Sequence, residues 1–192
     1  MKNKYNMKKL LVLLLFTSLS TAVIAQEAKL INIESSSINW EGKKALGKHE
    51  GSVMLKSGTL IFKGKKLVGG NFIVDMTTIS STDVSGKSKE NLDNHLKSDD
   101  FFGVEQYETS SLKFTTLKKK SKNNYTITAD LTIKGITNPI VFDIALKGNS
   151  ANAKLTIDRT KYGIKYKSKT AFADIGDKFI YDDFTLDVNL IF

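Results

Sequence analysis

Alternation of apolar and polar residues is the feature of this sequence that most restricts its fold. Residues 125–133, YTITADLTI, place every apolar residue on one face and every threonine or aspartate on the other. The same period of two recurs at NFIVDMTTIS (71–80), IVFDIALK (140–147), ANAKLTID (151–158) and FTLDVNLIF (184–192). A period of two is typical of a strand with one buried face. The sequence therefore predicts an all-β protein of roughly eight to ten strands.

Turn-forming residues separate these predicted strands. They occur at Ser57-Gly58, between Lys63 and Gly70, at Lys122–Asn124, between Lys134 and Pro139, and at Gly148-Asn149. Short connections favour antiparallel pairing in a sandwich or a closed barrel, and closing the sheet buries the apolar faces and removes exposed edges. A barrel of roughly eight strands is either filled by its own side chains or holds one small ligand. The alternation leaves both possibilities open.

One segment breaks the period of two. Within SGKSKENLDNHLKSDD, Leu92 and Leu96 stand four residues apart among polar residues. This spacing predicts a short helix over about 89–98, with one narrow apolar stripe. Ser88 suits its N-terminal cap and Glu90 its first turn.

The N-terminal residues have the pattern of a secretory signal peptide. Four lysines precede an apolar run, Leu10–Phe16, and the sequence VIA precedes Gln26. The alternative is a membrane anchor, but the apolar run is shorter than the roughly 20 residues that a bilayer requires. We expect a signal peptide at 1–25, one domain at 26–192, and a location in the periplasm or outside the cell.

Composition excludes several classes of function. The chain has no cysteine, so thiol catalysis, thiolate metal sites and disulfides are absent. The formal net charge of +9 includes four lysines in residues 1–25, and Arg159 is the single arginine. Proteins that bind nucleic acid favour arginine for its two-pronged geometry. We therefore expect no nucleic-acid partner, while weak attraction to anionic lipid surfaces stays open.

Histidines and aspartates supply the candidates for catalysis or metal binding. His95 and Asp99 would share a helix face, and His49 would have to reach the same point from a strand. Catalytic zinc sites use three protein ligands, and no GxSxG motif is present. We expect no metal, no cofactor and no catalytic residue. The aspartates that invite an enzyme interpretation are Asp99, Asp100, Asp174, Asp177, Asp182 and Asp183. Solvated turns account better for the two adjacent pairs, Asp99-Asp100 and Asp182-Asp183.

Five stretches together resemble the YceI-like family of secreted lipid- or polyisoprenoid-binding proteins. They are WEGKKALGKHEGSV (40–53), LVGGNFIVDMTTI (67–79), NLDNHLKSDDFFGVEQYETSSLKF (91–114), ADLTIKGITNPIVFDI (129–144) and LTIDRTKYGIKY (155–166). The sequence departs from the family pattern at Glu108, where proline is frequent, and at Gly103, where a polar residue is usual. The resemblance implies an eight-stranded antiparallel barrel of lipocalin-like shape with an apolar channel. It also implies an isoprenoid or similar ligand, often bound by a dimer.

On this basis we expect a non-enzymatic carrier for an isoprenoid, a quinone or a fatty chain. The homodimer is a possible assembly, and no stable membrane insertion is expected after signal cleavage. The alternatives are an enzyme acting on a hydrophobic substrate in the same cavity, and an interaction module with a filled core. The predicted ligand-binding residues are the apolar ones expected to face inward: Phe62, Phe72, Val74, Met76, Leu92, Leu96, Phe102, Phe114, Ile127, Leu131, Phe142, Ile144, Ile157 and Tyr162.

Contacts at the mouth of the channel are expected from other residues. His95, Lys97 and Arg159 are the candidates for binding a head group, although a structural role for Arg159 is the alternative that the sequence favours. Phe101 and Phe102 follow the predicted helix directly. One of them is expected to face the interior, and the other to cover the rim or a partner subunit.

Overall fold

The structure, a computed structural model, describes residues 25–172 and 176–192. The predicted signal peptide lies outside these ranges except for Ala25, and so does Asp174. The elements are β1 (Gln26–Leu30), β2 (Ser37–Lys44), β3 (Lys48–Lys63), β4 (Lys66–Ser81), α1 (Gly86–Lys97), β5 (Thr109–Lys119), β6 (Asn124–Ile133), β7 (Ile136–Lys147), β8 (Ser150–Asp158) and β9 (Ile180–Ile191), with 3-10 turns at Arg159–Tyr162 and Gly176–Lys178.

The strands form a closed antiparallel barrel, as predicted. Strands β2 to β8 each pair with the next strand along the chain, and β9 pairs with β2 to close an eight-stranded, up-and-down barrel. Strand β1 is an additional strand that pairs with the C-terminal part of β3, from Thr59 to Lys63. Even-numbered strands of the barrel therefore all run towards one end, and odd-numbered strands run towards the other.

Two of the predicted turns lie inside strands. Ser57-Gly58 does not separate two strands, because β3 continues through it, pairing first with β2 and then with β1. The glycine serves packing: a Cβ atom at Gly58 would lie 2.8 Å from Ile31 and 2.9 Å from Phe72. Likewise Gly70 belongs to β4, where a Cβ atom would come 2.7 Å from the ring of Phe114.

The proline also lies within a strand. Pro139 pairs with Asp130 inside β7, and the actual turn is Lys134-Gly135, where both residues have positive φ. Strand β8 pairs only with Ile144–Lys147 of β7, so the first half of β7 has no β8 partner. A residue without an N–H is tolerated at such an edge.

The helix begins three residues earlier than predicted. It spans Gly86–Lys97 after an N-cap residue, Ser85, whose side chain makes no capping hydrogen bond, so the predicted cap at Ser88 is wrong. Tertiary contacts to β4 hold the helix instead. The predicted apolar stripe is confirmed, since Leu96 is buried and Leu92 packs half-buried against the core.

One end of the barrel is closely packed, and we call it the filled end. The ring of Phe114 lies 5.5 Å from that of Phe72 and 6.0 Å from that of Phe142, measured between centroids. These three rings span the barrel interior from different strands, with Gly70 giving Phe114 its space. The remaining buried side chains of the filled end include Leu60, Phe62, Leu67, Tyr125, Ile127 and Ala129.

Candidate functional site: an apolar cavity in one end of the barrel

The opposite end of the barrel, which we call the hollow end, contains a cavity. Its free volume is about 130 Å³, within a recess of about 890 Å³ that includes its opening to solvent. The wall surface exposed to the cavity is entirely apolar. The lining residues are Ile38, Trp40, Gly42, Val53, Val74, Met76, Ile79, Leu96, Phe101, Phe102, Ser110, Leu131, Ile133, Ile157, Arg159, Ile164, Ile180, Tyr181, Asp183, Phe184 and Leu186.

Strand direction explains which residues line the cavity. Even-numbered strands contribute residues near their C-terminal ends, such as Ile79 of β4, Ile133 of β6 and Ile157 of β8. Odd-numbered strands contribute residues near their N-terminal ends, such as Val53 of β3 and Phe184 of β9. The cavity thus lies at the end where the chain passes from β4 through α1 to β5.

Both aromatic residues that follow the helix face the cavity. Phe102 lies 6.4 Å from the ring of Phe184, and Phe101 lies 5.5 Å from that of Tyr166. The ring of Phe101 also packs edge-on against His95, at 5.0 Å. The sequence predicts that only one of the pair faces inward, and the structure places both there. The chain makes this possible by leaving strand geometry: residues 98–107 form successive turns, and Gly103 adopts φ +56° there.

An ionic network fixes the helix against the barrel wall. Asp93 accepts hydrogen bonds from the backbone N–H and the hydroxyl of Ser81, both at 2.7 Å, and from Ser80 at 2.9 Å. Lys89 adds an ion pair with Asp93 at 3.0 Å and also donates to Ser80 and Ser81. Burial by itself would raise the pKa of Asp93, but these hydrogen bonds outweigh burial and lower the pKa well below its ordinary value of 3.8.

Arg159 is a structural residue of the cavity wall. It is 4% exposed and donates to the carbonyls of Tyr181, Ile164 and Ile180 at 3.0–3.1 Å. Its guanidinium lies 3.8 Å from Asp182. Burial lowers the pKa of Arg159, and Asp182 opposes that effect. Because these bonds join the end of β8 to the start of β9, Arg159 fixes the connection between these two strands at the cavity mouth.

The structure separates the predicted ligand-binding residues into two groups. Six of the fourteen border the cavity: Val74, Met76, Leu96, Phe102, Leu131 and Ile157. The other eight are buried or half-buried elsewhere, most of them at the filled end, and do not border the cavity: Phe62, Phe72, Leu92, Phe114, Ile127, Phe142, Ile144 and Tyr162.

Of the predicted head-group residues, only Arg159 lines the cavity. His95 is half-buried beside Phe101 and lies 3.1 Å from the carboxylate of Asp100, and Lys97 is half-buried at the end of α1. His49 pairs with Asp83 at 2.8 Å, away from the cavity. Within residues 25–172 and 176–192, no three His, Asp or Glu side chains are placed to hold a metal ion.

Sequence reasoning missed lining residues of two kinds. Trp40, Phe184 and Leu186 belong to strands whose alternation is visible in the sequence, and the missing information was the end of the barrel on which they lie. Ile164 and Ile180 belong to the connection between β8 and β9 and its junction with β9, where alternation carries no signal.

The YceI-like domain family matches residues 30–192. The chain belongs to the YceI-like family. A UPF0312 protein of Staphylococcus aureus (strain USA300) is 39% identical over 100 residues, which covers 46% of this chain and 55% of the relative. The homologous protein of the bovine strain RF122 is 40% identical over 85 residues, 38% of this chain and 47% of the relative. The chain thus spans about half the length of the curated relatives it matches.

Solved structures show the same fold at low sequence identity. BcnA of Burkholderia cenocepacia superimposes with a TM-score of 0.64 and 16% identity, covering 84% of this chain and 99% of BcnA. A polyisoprenoid-binding domain from Saccharophagus degradans, implicated in plant cell wall breakdown, gives a TM-score of 0.56 and 11% identity, covering 88% and 97%. Within the described ranges, no helix has both the length and the apolar character to cross a lipid bilayer.

Proposed function

We propose that this protein is a non-enzymatic carrier that holds the apolar chain of an isoprenoid, a quinone or a fatty compound in the hollow end of its barrel. The observation that supports this proposal most directly is the apolar free volume of about 130 Å³ in a barrel whose other end is filled. An apolar cavity of about 150 Å³ holds benzene, so this free volume corresponds to about five carbon groups of a chain. Five buried methylenes would contribute about 4 kcal/mol, from which chain ordering and lost freedom subtract a part.

The chemistry of the wall favours a tail-first arrangement of the ligand. The exposed wall is apolar, and Arg159 directs three donors to backbone carbonyls and away from the cavity. A charged head group inside would therefore lose its water without gaining a partner. The head group would remain at the mouth, where His95 and Lys97 lie nearby. The aromatic layer of Phe72, Phe114 and Phe142 would limit how deep the tail reaches.

This arrangement selects ligands by shape and length. Apolar contacts are non-directional, so chains of similar girth would bind with similar affinity. The name of the Saccharophagus degradans domain, which records polyisoprenoid binding, supports an isoprenoid as one such ligand. We also propose export by the segment 1–25, a location in the periplasm or outside the cell, and a homodimer as a possible assembly.

Mass spectrometry of an organic extract tests the ligand class. Protein purified without detergent should release a chain-bearing lipid in near-stoichiometric amount. After extraction and refolding, the same protein should take up a fluorescent fatty chain and release it when an unlabelled isoprenoid alcohol is added. An empty extract together with no uptake would contradict the carrier proposal and favour a filled-core interaction module. Turnover of a bound chain that is lost in His49→Ala and His95→Ala would favour an enzyme.

A further inference from the structure

One side of the cavity mouth is built from two connections of the hollow end, which we call the basic lip. It comprises residues 43–48, 165–172 and 176–181. The backbone N–H of Ala45 donates to the carbonyl of Phe179 at 3.0 Å, and that of Ile180 donates to Lys167 at 2.8 Å. The rings of Phe179 and Tyr181 lie 5.1 Å apart. These contacts join the β2–β3 turn and the β8–β9 connection into one surface.

The basic lip exposes large apolar side chains. Leu46 is 78% exposed, Phe172 is 51% exposed and Tyr181 is 44% exposed. Tyr181 also lines the cavity, so the exposed apolar surface continues into the mouth. A leucine, a phenylalanine and a tyrosine at the rim of a lipid-sized opening are the residue types that enter the interfacial region of a bilayer.

Lysines surround these apolar side chains. Lys165, Lys167, Lys169 and Lys178 form no ion pair with any residue that the structure describes. The ammonium group of Lys169 lies 5.0 Å from the ring centre of Phe179 and 5.9 Å from that of Tyr181. Lysines beside partly buried aromatics can extend their charge towards lipid phosphates while their stems cover apolar surface.

Positive charge alone does not distinguish the basic lip from other surfaces of the protein. The filled end also carries lysines, in the β3–β4 turn and at Lys118, Lys119, Lys120 and Lys122. Acidic residues also lie close to the lip: Asp177 belongs to it, and Asp100 lies 3.1 Å from His95, whose ring packs against Tyr166 of the lip. What distinguishes the basic lip is that positive charge, exposed apolar side chains and the cavity opening occur together.

We propose that the basic lip docks on the surface of an anionic phospholipid bilayer. Docking places the mouth at the level of the head groups, so that an apolar tail passes between bilayer and cavity without crossing water. The basic lip lies on the membrane and does not span it. The purpose of this docking rests on the proposed carrier function, but docking itself is measured without any cavity ligand.

Vesicle co-sedimentation of the full-length mature protein tests the proposal. The probe is a vesicle of phosphatidylcholine and phosphatidylglycerol at 4:1, compared with pure phosphatidylcholine, at low and at high salt. Leu46→Ser with Phe172→Ser should weaken binding by about tenfold or more. Lys165→Gln with Lys169→Gln and Lys178→Gln should weaken it by about a hundredfold, because each lysine near an anionic surface strengthens binding about fivefold. None of these residues borders the cavity, so uptake of the fluorescent chain should be unchanged.

Matched variants provide the controls. Leu30→Ser with Val141→Ser removes exposed apolar side chains from other surfaces, and Lys118→Gln with Lys119→Gln and Lys122→Gln removes the same charge from the filled end. Both control variants should bind vesicles like the unaltered protein.

The docking proposal is wrong if the unaltered protein does not sediment with anionic vesicles, or if the filled-end variant loses as much binding as the variant of the basic lip. It is also wrong if Leu46→Ser with Phe172→Ser dissociates a dimer in sedimentation velocity, which would make the basic lip an interface between copies. Vesicle binding without chain uptake would contradict the carrier function and leave docking standing.

Discussion

The two ends of the barrel follow the same alternating pattern and yet differ in what they enclose. At the filled end the inward positions hold large side chains that meet across the interior, such as Phe72, Phe114 and Phe142. At the hollow end the wall combines aromatic residues, such as Trp40 and Phe184, with aliphatic ones, such as Val53 and Val74, around a free volume. Period two therefore decides which face is buried, and the way in which side chains from different strands meet decides whether the buried space is occupied.

The connections between strands also differ between the two ends of the barrel. The filled end is closed by short turns, at residues 64–65, 120–123 and 148–149. The hollow end carries the longer connections, which include α1 and the segment between β8 and β9. Long connections supply the side chains that shape a mouth, and the functional residues of barrels commonly lie on them. The difference between the ends is therefore one of both filling and access.

The largest expected effect is loss of packing at the filled end. Phe114→Ala should destabilise the protein by about 3–5 kcal/mol, because it removes a buried ring that contacts two others and leaves a cavity. Chemical denaturation measures the change. Val141→Ala, at a position 67% exposed on the outer wall, is the control and should change stability by less than about 0.5 kcal/mol. Equal effects of the two changes would show that Phe114 does not belong to a packed interior.

The next effect concerns the network that fixes α1 over the hollow end. Asp93→Ala should cost about 2–3 kcal/mol, because the N–H of Ser81 and the ammonium group of Lys89 lose a charged partner. The exposed pair of Lys87 and Glu90 is the control, and Glu90→Ala should cost less than about 1 kcal/mol.

The same network predicts a pH dependence. Since the pKa of Asp93 is lowered in the folded protein, its carboxylate stabilises the fold fully above its ordinary pKa of 3.8. That contribution is lost as the pH falls below 3.8 towards the lowered value. Denaturation curves of the unaltered protein and of Asp93→Asn should therefore converge as the pH is reduced below about 4. A constant difference down to the most acidic measurable pH would contradict the assigned hydrogen bonds.

Enlarging one inward side chain at each end should give opposite results. Ala129→Leu at the filled end should cost about 1–3 kcal/mol, since no space exists for the added carbons, and should leave chain uptake by the folded fraction unchanged. Val74→Phe at the hollow end should change stability by less than about 1 kcal/mol, because the cavity accepts the ring. Uptake of the fluorescent chain should then weaken by about tenfold, equivalent to about 1.4 kcal/mol. Unchanged uptake in Val74→Phe would contradict the assignment of the cavity.

The smallest expected effect concerns the aromatic pair beside the mouth. Phe102→Ala should weaken chain retention by about three- to tenfold, because part of the apolar wall is lost. Phe172→Ser, in the basic lip and outside the cavity lining, should leave retention unchanged. Retention and dimerisation that are both unaltered in Phe102→Ala would show that this ring serves neither the cavity nor an interface.

Sequence alone determined the all-β class, the apolar faces and the short helix, since strand and helix periods are local properties of the chain, whereas the choice of a barrel over a sandwich came from the family resemblance. It also indicated the family through motifs in order. Four of the six predicted residues that border the cavity, Val74, Met76, Leu131 and Ile157, follow from the alternation of β4, β6 and β8. Leu96 and Phe102 follow from the spacing of the helix and from the aromatic pair that comes directly after it.

Only the tertiary structure decided which end of the barrel is empty. Gly58 and Gly70 occur in sequences that are typical of turns. In the structure they lie within strands and pack against the rings of Phe72 and Phe114 from other strands. Phe114 and Leu131 occupy the same kind of inward position, and only the direction of their strands places one in the filled end and the other in the cavity wall. Arg159 gained its structural role from carbonyls about 20 residues away. Packing volume and long-range contacts depend on how the strands assemble into the barrel, so a local sequence pattern does not predict them.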